Sequence, residues 1–157
     1  GYAMTSDSKE KLKTFIGLPH RCEHILDKDG IVWINDSKST NPGSTIAALS
    51  GIDKPIILIA GGQSKGADFT ELANAIQRFV RQVILIGVDR SSIAIPIDNR
   101  VPVTFADDLQ QAVLLASRWA QHGDAVLLSP ACASFDMFSD FEERGNIFRK
   151  FVGELPQ

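Results

Sequence analysis

Two hydrophobic rhythms alternate along this chain. Ile56–Ala60, Val83–Gly87, Pro102–Phe105 and Ala125–Ser129 are short aliphatic or β-branched runs. Runs of this kind suit strands buried on both faces of a parallel sheet. Between them, apolar residues recur every three or four positions. Leu72, Ile76, Phe79 and Val80 share one helical face behind an Asp68-x-x-Glu71 start. Leu109, Ala112, Val113, Ala116 and Ala120 form a second stripe, opened by Asp107-Asp108 and ended near Gly123. Ser139-x-x-Glu142 predicts the start of a last helix carrying Phe141, Phe148 and Val152, aromatics that read as core stripe rather than cofactor box.

The N-terminal part has a different rhythm. Cys22–Asp27 and Ile31–Asn35 alternate around Asp29-Gly30, a pair that accepts positive φ and favours a two-residue hairpin turn. Ahead of it, Ser8–Phe15 is charged and weakly helical and reads as a lead-in. Gly1–Ala3, placed before Met4, reads as an expression scar, so that residues 1–15 are scar and linker and residues 16–157 are one domain. The predicted architecture is α/β: a Rossmann-like, mostly parallel sheet flanked by helices, with a β-hairpin near the N-terminus.

Composition narrows the class. The 157 residues carry 16 Lys+Arg against 19 Asp+Glu, with 44% apolar and 22% charged residues. These values exclude disordered, collagenous and coiled-coil chains. The slightly acidic balance gives no electrostatic case for nucleic acid or an anionic membrane as partner. No apolar run approaches the roughly 20 residues of a membrane-spanning helix. Cys22 and Cys132 have neither C-x-x-C nor metal-like spacing, and read as free buried thiols of a reducing compartment.

Right-handed crossovers place the loops after parallel strands on one edge of the sheet, and there the polar residues collect. Asp36-Ser37-Lys38-Ser39-Thr40-Asn41-Pro42-Gly43-Ser44 follows the second strand and precedes a helix over Thr45–Leu49. Lys38 near a helix N-terminus favours an anion through both charge and dipole. Gly61-Gly62-Gln63-Ser64-Lys65-Gly66-Ala67-Asp68 lets backbone pass close to a ligand and supplies a compact cation, yet its spacing is neither a P-loop nor a dinucleotide fingerprint. Pro130-Ala131-Cys132-Ala133-Ser134-Phe135-Asp136 adds small residues and the Ser134 hydroxyl. No G-x-S-x-G elbow is present, and no histidine is placed beside a nucleophile. The pair His20-Arg21 is open to reading as a surface pair or as a ligand clamp, while His24 and His122 read as structural. Together the loops describe a site for a small anionic ligand, without a complete catalytic apparatus or a metal-ligand set.

Four motifs in one order also carry a resemblance. Leu18-Pro19-His20-Arg21, Trp33-Ile34-Asn35-Asp36-Ser37-Lys38-Ser39-Thr40-Asn41, Gly61-Gly62-x-x-Lys65-x-x-Asp68 and Leu128-Ser129-Pro130-Ala131-Cys132-Ala133-Ser134 resemble the C-terminal domain of the Mur ligases. The Ser-Pro-Ala-Cys-Ala-Ser block, with Phe138, Phe141 and Arg144-Gly145-Asn146, is most similar to the family of UDP-N-acetylmuramoyl-L-alanine:D-glutamate ligases. The resemblance implies a bacterial, cytoplasmic, three-domain enzyme of cell-wall precursor synthesis. In that chemistry ATP, with Mg²⁺, phosphorylates the carboxylate of UDP-N-acetylmuramoyl-L-alanine, and the amine of D-glutamate attacks the acyl phosphate.

The resemblance further implies that Thr40, Lys65, Ser134, Phe135 and Phe141 lie at the D-glutamate site. On the same basis His20, Arg21, Asp36, Lys38 and Asn41 face ATP. No catalytic group lies wholly within this chain, which is expected to be inactive without its N-terminal and central partner domains. Ser39 and Phe135 replace an Ala and a Leu common in the family. Two other readings remain open on the residues alone: a domain of a sister Mur or folylpolyglutamate-type ligase, and a stand-alone Rossmann-like module binding a nucleotide or anion.

Overall fold

The computed structural model describes residues 18–156, so the expected scar and linker over residues 1–15 lie outside the described residues. Six strands form one sheet: β1 Glu23–Lys28, β2 Ile31–Asn35, β3 Ile56–Gly61, β4 Val80–Ile86, β5 Val103–Phe105 and β6 Ala125–Leu128. Their order across the sheet is β1-β2-β6-β3-β4-β5. The β1–β2 pair is antiparallel, and every other neighbouring pair is parallel. Asp29 and Gly30 both take positive φ, 56° and 75°, as a type I′ hairpin turn requires. The hairpin and the parallel sheet are those predicted from the two rhythms.

Among the described residues five helices cover the sheet: α1 Pro42–Ser50, α2 Thr70–Phe79, α3 Arg90–Ile97, α4 Leu109–Trp119 and α5 Phe141–Gly153. Strand alternation decides which helix meets which face. Ile56, Leu58 and Ala60 of β3 point into a core with Leu49 of α1, Leu72 and Ile76 of α2, and Ile93 and Ile97 of α3. Ile57 and Ile59 point the other way, to Leu109, Val113 and Ala116 of α4 and Phe148 and Val152 of α5. All six β3 residues are buried, which is why their sequence shows no alternation.

The structure differs from the sequence expectation at four helix ends, the first being α1, which begins at Pro42 rather than Thr45 because Asn41 caps it. Val80, expected on the α2 stripe, is the first residue of β4 and pairs with Ile56, so helix passes to strand with no loop. Asp68 accepts hydrogen bonds from the Thr70 amide and hydroxyl, a side-chain turn that lies one step before the helix and leaves Phe69 at its N-cap. The cap of α5 is Asp140, which accepts from the Glu143 amide at 2.8 Å, while Ser139 donates to the Glu143 carboxylate. An Asp one residue after the Ser won because its carboxylate reaches the N3 amide.

Helix α3 was absent from the sequence reading. Its eight residues contain Pro96, and of its isoleucines only Ile93 and Ile97, one turn apart, are buried, while Ile95 is exposed and blurs the stripe. Asp98 ends it in the left-handed region at φ 50°.

Candidate functional site

The C-terminal ends of β2, β3, β4 and β6 lie side by side on one edge, so the loops that follow them converge there. Loop 36–41 ends at Asn41, whose side chain accepts the Ser44 amide at 2.9 Å and caps α1, with Pro42 in the first turn. Asp36, at the start of that loop, is only 2% exposed. Its Oδ1 accepts from the Cys22 amide at 3.1 Å, and its Oδ2 accepts from the Ser39 and Ser129 hydroxyls at 2.5 and 2.6 Å. With its one proton on Asp36, Ser129 Oγ is an acceptor for the Thr45 hydroxyl 3.0 Å away, which extends the network into α1.

An open cleft of about 410 Å³ lies over this network, lined by Arg21, Cys22, Asp36, Lys38, Ser39 and the α1 face at Ser44. Arg21 and Lys38 therefore both line one cleft, and two cations there suit a polyanion. Three of the roughly four acceptor positions of the Asp36 carboxylate are taken, which leaves room for one further donor. His20 is placed differently. It is buried, with Nδ1 3.0 Å from Asn35 Nδ2, and its ring stands edge-on to Phe141 at 6.0 Å. It does not line the cleft, although its carbonyl accepts the Lys38 amide at 2.9 Å. Asn41 is committed to its cap.

The second group of predicted residues divides. Gln63 and Ala133 exchange both backbone hydrogen bonds, at 2.9 and 3.0 Å, which brings the loops after β3 and β6 together. Lys65 follows in the left-handed region at φ 52°, its ammonium 5.2 Å from the centroid of the Phe135 ring. Phe135 is exposed, and Ser134 beside it is buried. Lys65, Ser134 and Phe135 thus form one cluster. Thr40 lies exposed on loop 36–41. Phe141 begins α5, and the Ser37 hydroxyl donates to its carbonyl at 2.8 Å. Among the described residues no group of three or more His, Cys, Asp and Glu side chains is arranged to hold a metal ion.

Arg144 was quoted in the sequence only as part of a motif, and its place in the site was not foreseen. It is 1% exposed on α5 and its guanidinium reaches two of the site loops. Burial pushes its pKa down to about 10.

Both cysteines are free thiols. Cys132 is buried as expected, but Cys22 is exposed at the cleft rim, because the segment before β1 runs over the sheet edge. Packing of its thiol, together with the neighbouring Asp36 carboxylate, pushes the Cys22 pKa up to about 12. At pH 8 it stays protonated, whereas a free thiol near 8.5 is partly ionised. Iodoacetamide at pH 8 is therefore expected to alkylate Cys22 more than tenfold slower than free cysteine, followed by mass spectrometry of the intact chain. A rate within about twofold of free cysteine would overturn that reading of its surroundings.

The chain has counterparts among known proteins. Residues 20–132 match the family described as "Mur ligase, glutamate ligase domain". The chain belongs to the Mur ligase family. UDP-N-acetylmuramoylalanine–D-glutamate ligase of Legionella pneumophila (strain Lens) is 54% identical to this Mur ligase domain over 148 residues, covering 92% of it and 33% of the relative. The enzyme of the same name from Pseudomonas aeruginosa is 49% identical, again over 92% of this chain and 33% of its own. The chain thus spans about a third of the length of these relatives.

Solved structures share the fold of this Mur ligase domain. A murein peptide ligase from Psychrobacter arcticus superposes with TM-score 0.65 at 15% identity, over 96% of this chain and 33% of that one. A MurF ligase from Thermotoga maritima in complex with ADP gives 0.61 at 15% identity, over 92% and 34%. Among the described residues no helix is long and apolar enough to cross a membrane.

Proposed function

We propose that this chain is the C-terminal domain of a D-glutamate-adding ligase, residues 16–157, which holds the incoming amino acid and closes over ATP. The observation that carries the proposal is the 54% identity, across 92% of the chain, to an enzyme named for that reaction. The site supports it physically. A dicarboxylate needs cationic and hydroxyl donors from more than one loop, and Lys65 and Ser134 stand on loops joined by the Gln63–Ala133 pair. Thr40, Phe135 and Phe141 complete the assignment on that side.

Arg21 and Lys38 would meet the nucleotide phosphates in the cleft, with Asp36 offering its remaining acceptor to a ribose hydroxyl. His20 and Asn41 act there through the loops they hold. Mg²⁺, when bound, would neutralise phosphate charge, and its ligands are assigned to the central domain, which also carries the ATPase machinery. The UDP-linked acceptor belongs to the N-terminal domain. The chemistry asks these residues for placement and charge compensation rather than for covalent participation.

Two measurements test the proposal. With ATP, Mg²⁺, D-glutamate and UDP-N-acetylmuramoyl-L-alanine this chain alone is expected to release no phosphate, and turnover above a no-enzyme control would refute its incompleteness. Titration with D-glutamate is expected to move the amide NMR signals of Ser64–Gly66 and Ala133–Phe135, with the response lost in Lys65→Ala. Signals that move only elsewhere would refute the site.

A further inference from the structure

The guanidinium of Arg144 is buried, and no carboxylate among the described residues forms an ion pair with it. Its Nε donates to Ser37 Oγ at 2.9 Å, one Nη to the Ser37 carbonyl at 2.7 Å, and the other Nη to the Cys132 carbonyl at 3.0 Å. Ser37 immediately precedes Lys38. Cys132 precedes Ala133, which is paired to Gln63, two residues before Lys65. The Ala131 amide donates to the Ser39 carbonyl at 3.0 Å and closes the circuit. One side chain from α5 therefore links, by short covalent and hydrogen-bonded steps, the two lysines at the site edge.

A buried cation with no ion-pair partner among the described residues, and with Asp136 acting on it only from beyond ion-pair distance, is an expensive way to fill space, since an apolar side chain of similar volume is commonly neutral or stabilising there. What the guanidinium supplies instead is a rigid planar fork that fixes its acceptors in direction as well as distance. Burial lowers its pKa to about 10, which still leaves it a cation at neutral pH.

We infer that Arg144 is a positioning residue that holds the loop of Lys38 and the loops of Ser134 and Lys65 in one register, fixing the separation of the nucleotide and amino-acid subsites. The subsites rest on the function proposed above; the mechanical link does not. Arg144 touches no substrate, and its influence passes through Ser37 and Cys132. Lysine at the same position keeps the charge but loses the fork, so R144K is the discriminating variant.

In the full-length ligase, folded R144K is expected to raise the KM values for ATP and for D-glutamate together, each about fivefold or more, with a smaller change in kcat. A folded R144K enzyme with both values unchanged, or only one changed, overturns the inference. The same variant of this chain separates that failure from a failure of the proposed function. Without substrate, its amide NMR shifts are expected to move at Lys38–Thr40 and at Ser64–Gly66 alike. Shifts confined to Ser37, Cys132 and Phe141 overturn the link.

Shifts in both loops, with no ligase activity in the unaltered full-length protein, would leave the link standing and remove the function. If R144K does not fold, hydrogen exchange on the unaltered chain reads the same property. The Ser39, Gln63, Ala131 and Ala133 amides are then expected to open with one common free energy, and independent openings overturn the inference.

Discussion

Gly62→Ala is expected to lower the thermal unfolding midpoint of this chain by about 10 °C or more, since a chain of this size loses roughly 2–4 °C per kcal/mol. Gly62 sits at φ 138°, where side chains are strained, and a Cβ there would lie 2.4 Å from the Ala133 carbonyl oxygen. Strain of this kind amounts to about 1–3 kcal/mol. The obstructing atom is backbone, so relief requires parting the two Gln63–Ala133 hydrogen bonds, each about 1 kcal/mol. The sum, about 3–5 kcal/mol, is a large share of a total near 5–15 kcal/mol. Gly87 tightens the constraint, because its own Cβ position lies 2.5 Å from Gly62 Cα.

Gly66→Ala is the control. It also has positive φ, 73°, but nothing lies within 4 Å of its Cβ position. Only the left-handed penalty of about 1 kcal/mol applies, or roughly 3 °C. Calorimetry of the two variants distinguishes close approach from φ alone, and equal midpoints would refute the close-approach argument.

Asp36→Ala is the second large loss. It removes the acceptor of the Cys22 amide and of the Ser39 and Ser129 hydroxyls in a buried network. Each orphaned group costs about 1–3 kcal/mol, but Ser129 keeps Thr45 as a partner and the other two lie beside the open cleft. The expected total is about 3 kcal/mol, read as a lower urea midpoint with an unchanged slope. Asp36→Asn keeps one oxygen and is expected to lose about 1 kcal/mol, since hydroxyls can rotate to suit an amide whereas the Cys22 N–H cannot. An Asp36→Ala midpoint within error of the unaltered chain would place the network outside the stability of the fold. In the proposed enzyme the same variant should also weaken nucleotide binding, because Arg21 and Lys38 flank the two segments that Asp36 joins.

The readable parts of the fold were those whose signal lies in neighbouring residues. The six buried positions of β3 form an unbroken apolar run, the Asp29-Gly30 turn has the two residues its dihedrals need, and α4 shows its stripe in eleven residues directly behind its Asp108 cap. Helix α3 was missed because eight residues with a proline offer a single i, i+4 pair. The cap of α5 was placed one residue early because Ser139 and Asp140 both have a glutamate three positions on, and only geometry selects between them.

The site divides along the same line. Sequence alone placed Lys38, Lys65 and Ser134 in loops after strands, and the alternation of strand and helix put those loops on one edge. Tertiary structure decided that His20 is buried against Asn35 and Phe141, that the Phe141 carbonyl meets the Ser37 hydroxyl, and that Arg144 reaches two of the loops after the strands. The physical reason is the range of the interactions involved. Periodicity and turn chemistry act over a few residues, whereas Ser129 meets Asp36 across 93 positions and Arg144 meets Ser37 across 107. Whether a polar side chain is buried and what satisfies it depends on such distant partners, and no local spacing records them.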